Sequence, residues 1–147
     1  MATNPLIAQG TLNRLRASVV WTSFPQLNVT ASFLGREGVR LALEGETTTF
    51  INTMTGAVTS PEPYMPVSLV MNLLKTQSLS SLYKQQMELN ALLGDGTVRP
   101  DSITLPPYGI INCAIQSVRE LNFSGEDAGF AVTIRGYYPV NSSLFNL

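Results

Sequence analysis

Apolar side chains along this chain recur mostly at every second position, the period of strands. In residues 15–23, Leu15, Ala17, Val19 and Trp21 alternate with Arg16, Ser18, Val20 and Thr22, as in a strand with one buried face. Residues 27–34 repeat the pattern with Leu27, Val29, Ala31 and Phe33, and Phe24-Pro25-Gln26 divides the two runs. Gly35-Arg36-Glu37-Gly38 reads as a turn into a third strand over residues 39–44, so three strands are expected to succeed one another as a meander. In residues 109–122, Ile111, Cys113 and Ile115 fall on one face and Ile110, Ala114 and Val118 on the other. A strand apolar on both faces is covered on both. Phe130, Val132 and Ile134 alternate with Ala131, Thr133 and Arg135, and Ser124-Gly125-Glu126-Asp127-Ala128-Gly129 provides a turn between the two runs. This block predicts one long antiparallel hairpin.

The middle of the chain departs from that rhythm. Residues 47–53 are β-branched and polar, Met54-Thr55-Gly56-Ala57 looks like a turn, and residues 58–64 contain Pro61 and Pro63. Such a composition suits either a hairpin arm leaving the core, over residues 46–63, or a surface loop. Val67, Leu69, Met71 and Leu73 fit a strand or the start of a helix. From Ser78, a candidate N-cap, Leu79, Leu82, Tyr83 and Met87 recur at helical spacing, which predicts a helix over residues 78–91. Gly94-Asp95-Gly96 is expected to stop it, and Pro100, Pro106 and Pro107 to keep the next segment irregular. The fold class expected is mainly β (α+β): an antiparallel β sandwich or small barrel with one flanking helix.

Composition narrows the functional classes. A chain of 147 residues is expected to form one domain and to bury roughly 70% of the surface its unfolded form exposes. Charged residues make up 13% of it, about half the usual globular level. Its surface is therefore largely uncharged, which suits a subunit covered by neighbours, or a monomer with a Ser/Thr-rich β surface. The net charge is -1 and Arg14 and Arg16 form the one close basic pair, too little for a nucleic-acid-gripping patch. The first residues lack the basic and apolar segments of a secretory signal, and no apolar run approaches the ~20 residues of a membrane-spanning helix. No membrane partner is expected. Cys113, the single cysteine, reads as a small core hydrophobe in a reduced cytosolic setting.

No histidine is present, which removes Ser-His-Asp and Cys-His catalysis, His-ligated zinc and imidazole switching. Glu44 and Glu46 flank a turn, Glu126 and Asp127 lie in one, and turn carboxylates are usually solvated. Gly94-Asp95-Gly96 and Gly125-Glu126-Asp127-Ala128-Gly129 fit neither a phosphate loop nor a calcium loop and read as turns. Asn28-Val29-Thr30, Asn122-Phe123-Ser124 and Asn141-Ser142-Ser143 fit the glycosylation pattern, but such triplets arise by chance in a Ser/Thr-rich chain. Tyr137 and Tyr138 are adjacent in a strand and point to opposite faces, so they form no stacking platform. No catalytic residue, cofactor or metal ligand is nominated, and an enzyme is not expected.

Several words of the sequence together carry a resemblance. These are Asn72-Leu73-Leu74-Lys75-Thr76-Gln77, Leu92-Leu93-Gly94-Asp95-Gly96-Thr97-Val98, Asn112-Cys113-Ala114-Ile115 with Val118-Arg119-Glu120-Leu121, Gly125-Glu126-Asp127-Ala128-Gly129-Phe130, and Ile134-Arg135-Gly136-Tyr137-Tyr138. In these the chain resembles the tail tube proteins of contractile-tailed bacteriophages, best over residues 66–145 and more loosely before. The resemblance implies a structural subunit of a virion, made in the bacterial cytoplasm, that closes into homohexameric rings. Stacked rings would form a pipe conducting double-stranded DNA during ejection without binding it specifically. It also implies contacts with the tail sheath protein and with tail initiator and terminator proteins, and favours a strand for residues 67–74. The arm would correspond to the loop that reaches the next ring, with Thr49, Phe50, Ile51, Met54 and Val58 at the contact. Gln116, Glu120 and Thr133 become candidates for the bore, because a core-facing place would leave them unpaired; facing outward or bonding across a subunit contact is the alternative. The related tube of bacterial type VI secretion shares the architecture, and a small β-barrel ligand-binding module or enzyme is the more distant reading.

Overall fold

The computed structural model describes residues 16–74, 78–101, 105–119 and 129–145. The chain is mainly β, and one antiparallel sheet curled into a half-barrel makes the body of the fold. Its strands are β1 (Ala17–Trp21), β2 (Leu34–Leu43), β5 (Tyr64–Leu74), β6 (Leu92–Pro100), β7 (Tyr108–Arg119) and β8 (Gly129–Pro139). They lie in the order β1-β6-β7-β8-β5-β2. The remaining strands, β3 (Thr48–Thr53) and β4 (Gly56–Pro61), pair among the described residues only with each other. Helix α1 (Ser78–Leu89) flanks the sheet, and a single helical turn, α2 (Ser142–Phe145), comes after β8.

The core lies on one face of the sheet. Leu69, Met71 and Leu73 of β5 stand opposite Ile134, Val132 and Phe130 of β8, all buried. Cross-strand apolar pairs of this kind are the unit of sheet stabilisation. Leu79 and Tyr83 of α1 are buried with them, whereas Met87, which shares the predicted helical stripe, is exposed. Tyr83 ties three segments together: its hydroxyl accepts from Trp21 Nε1 at 2.9 Å and donates to the Leu27 carbonyl at 2.7 Å. Both bonds are buried, so each polar atom of this aromatic pair is satisfied where water cannot reach it.

Several sequence expectations change. Residues 27–34 form no strand: two 3-10 turns, Pro25–Leu27 and Ala31–Phe33, occupy the stretch. Val29 alone bridges to Val19 by a reciprocal pair of backbone bonds, and the Asn28 side chain accepts from Trp21 N at 2.8 Å. Pro25 has no N–H to offer a ladder, and the alternation of Leu27 and Val29 reflects two buried anchors of a loop. The expected meander is absent as well, because β1 and β2 lie at opposite edges of the sheet. Residues 35–38, expected as a separate turn, interrupt the register inside β2 between Leu34 and Val39. Gly94-Asp95-Gly96 lies within β6, and the helix ends before it at Leu89. Gly94 adopts φ 78, and an added Cβ at Gly96 would sit 2.5 Å from the Trp21 ring, so these glycines serve a bulge and a close approach. Ser78 is the first helical residue, and the position before it is outside the described residues.

Strand β7 corrects the expected facing of its side chains. Its register with β8 shifts between Ile111 and Ala114 and again between Ile115 and Ser117. Asn112, with φ 51, marks the first bulge and Gln116 is the extra residue of the second. Each bulge inverts the parity of the strand residues beyond it. Ile110, Cys113 and Ile115 are consequently buried together, Val118 packs against the same core, and Ile111 turns to the opposite side. The expected turn over residues 124–129 falls almost wholly outside the described residues.

Candidate assembly surfaces

The hairpin of β3 and β4 is the most exposed part of the described fold. Its strands pair from Thr48↔Pro61 to Thr53↔Gly56, which leaves Met54-Thr55 as a two-residue turn. All residues from 50 to 59 are exposed, Met54 fully and Phe50 at 66%. Ile51 and Val58 face each other across the strands, so both are on one side of the ribbon and Phe50 is on the other. An isolated two-stranded ribbon is marginal in water, and this one is held mainly at its root. Asn141 Nδ2 donates to the carbonyls of Thr47 at 2.9 Å and Glu62 at 2.6 Å. Val140 N bonds Pro63 O, Glu62 N bonds Thr47 O, and Thr49 Oγ1 donates to Glu62 Oε1 at 3.1 Å. Asn141 adopts φ 56, a left-handed conformation that Asn tolerates better than most residues. Nothing in the local sequence marks this clamp, because its two acceptors lie 94 and 79 residues earlier.

The sheet face away from the core is polar. Arg40, Ala42 and Glu44 border it, next to Ser68 and Val70 of β5, Thr133 and Arg135 of β8, and Gln116 of β7. Arg135 Nη2 lies 2.9 Å from Glu44 Oε2, an ion pair with both side chains more than 40% exposed. Such a pair contributes little to stability, but it cancels one positive charge on the face and leaves Arg40. Of the bore candidates, Gln116 is exposed at its bulge, while Thr133 is only 4% exposed, shielded by neighbours on the same face. The two side chains do meet on one surface, and Glu120 is outside the described residues. No local pattern marks Arg40, Glu44 and Arg135 as a group, because they become neighbours only through the β2-β5-β8 order.

The described residues hold no cluster of three or more His, Cys, Asp or Glu able to bind a metal. They also contain no helix long and apolar enough to cross a membrane. Cys113 is buried, and burial, with the nearby Asp95 carboxylate adding to it, pushes its thiol up to about 12. A thiol so protonated is a poor nucleophile. Tyr83 is likewise raised by burial, with the Trp21 hydrogen bond partly offsetting the shift. No protein-family model matches the chain, and no curated protein matches its sequence.

Proposed function

We propose that this chain is a structural subunit of a tail tube, assembling into hexameric rings that stack into a pipe for double-stranded DNA. The observation that carries the reading is the projecting hairpin. Phe50, Ile51, Met54 and Val58 are all more than half exposed on a ribbon with no core of its own, an arrangement that makes physical sense when another subunit covers it. The β2 edge of the sheet supports it, since among the described residues β2 pairs with no strand beyond β5, whereas Val29 and Asn28 bond part of the β1 edge. Free edges invite pairing with another chain, and a contact between unlike edges closes into a ring when its rotation allows. The hexameric number, the DNA cargo and the sheath contact come from the sequence resemblance. The polar sheet face suits a bore: with Arg135 paired to Glu44, Arg40 is the one uncompensated charge among the described residues that line it, which lowers the attraction a polyanion would meet there.

Negative-stain electron microscopy of the concentrated protein, paired with light scattering, tests this. Rings or tubes with a central channel are the expected result. A chain that stays monomeric up to about 1 mM, a concentration at which even weak contacts form, would overturn the proposal.

A further inference from the structure

The curled sheet leaves a seam between its two edges. Ala17 and Val98 approach from the β1 and β6 side, Val39, Leu41 and Leu43 from β2, and Leu105 lies beside them. Together they outline a groove of about 270 Å³ with no charged residue in its lining. Leu43 and Leu105 are 45% and 41% exposed at its mouth. An apolar cleft of this kind suits a docked apolar segment.

The arm has the complementary chemistry. Residues 47–61 contain no charged side chain, the flanking acids Glu46 and Glu62 remain at the root, and each side of the thin ribbon carries a large apolar residue, Phe50 on one and Ile51 with Val58 on the other. A two-sided apolar tip loses only half its water on a flat surface, whereas a seam with two walls covers both sides. The arm does not fill the groove of its own chain, since residues 50–59 are all exposed. We infer that the seam groove receives the arm tip of a second copy of the chain. This rests on the proposed tube. Arm and groove are different patches, so the contact is heterologous and repeats from copy to copy.

Cross-linking between two variants, each with one added surface cysteine, tests it. Protein carrying Met54→Cys is mixed with protein carrying Leu43→Cys, both positions being exposed, and treated with a short bis-maleimide. A parallel mixture pairs Met54→Cys with Leu89→Cys on α1, also exposed. The buried Cys113 thiol serves as the blank in wild-type protein. A docked arm holds its partner thiol at roughly millimolar effective concentration, so at about 0.1 mM protein the arm–groove mixture should give roughly tenfold more heterodimer than the control. Rings or tubes by microscopy with no excess of arm–groove heterodimer would overturn the groove assignment and leave the tube standing. Excess heterodimer without rings or tubes would support the groove contact and remove the tube. A monomeric protein with no excess heterodimer would overturn both.

Discussion

The body of the sheet and the arm are built from the same kind of backbone and stabilised by opposite means. In β5 and β8 nearly every second side chain is buried against a cross-strand partner, and each such residue stabilises the fold by the water it excludes. In β3 and β4 the ladder is just as regular, yet no residue of the tip is buried. A regular ladder therefore does not report stability. Burial on a third side does, and where a chain supplies none of its own, the exposed apolar residues point to a neighbour.

The comparison is sharpened most by truncating the body. Leu69→Ala should cost about 2–5 kcal/mol, the range for emptying a well-packed aliphatic site, read as a lower midpoint in urea unfolding. Tyr83→Phe comes next. It keeps the ring but leaves Trp21 Nε1 and the Leu27 carbonyl unpartnered in a buried place, a loss of about 1–3 kcal/mol, and indole fluorescence should report the loosened loop.

Burial also predicts an alkaline limit for the body. The Cys113 thiol, ordinarily at 9.0, is pushed up to about 12 in the fold. Between those values the unfolded chain has released a proton that the native chain still holds, so stability falls as pH rises from about 9 toward 12. Cys113→Ala should flatten that part of the curve of unfolding midpoint against pH. An unchanged slope would show that the thiol is not what the alkaline loss reports.

Smaller effects belong to the arm. Asn141→Gly keeps a residue at ease with φ 56 but removes the two root bonds, so a loss of about 1 kcal/mol is expected. Hydrogen exchange should quicken in residues 48–61 with little change in β5 and β8. Equal quickening in both regions would mean that the clamp secures the whole fold. Phe50→Ser with Met54→Ser should shift monomer stability by no more than about 0.5 kcal/mol, as exposed substitutions do, while abolishing rings or tubes. A large destabilisation would place these side chains in the core after all and erase the contrast between the two regions.

Much of this architecture was legible in period and punctuation. The mainly antiparallel β class, the strand around Val19 and Trp21, the helix beginning at Ser78 and the long β7 and β8 strands arise from alternation, helical spacing and turn residues, since these act over a few neighbours. The exposed character of residues 50–59 was legible as well, in a β-branched, uncharged stretch between Glu46 and Glu62. The tertiary structure decided matters of long-range register. The bulges at Asn112 and Gln116, which bring Ile110, Cys113, Ile115 and Val118 to one core, depend on the residues that stand opposite in β6 and β8. The loop over residues 25–33 alternates like a strand and is instead anchored by Trp21 and Tyr83. The clamp at Asn141, the Arg135–Glu44 pair and the seam between the sheet edges join residues far apart in the chain. Local pattern reports which side of an element prefers water; only the closed sheet determines which residues that preference brings together.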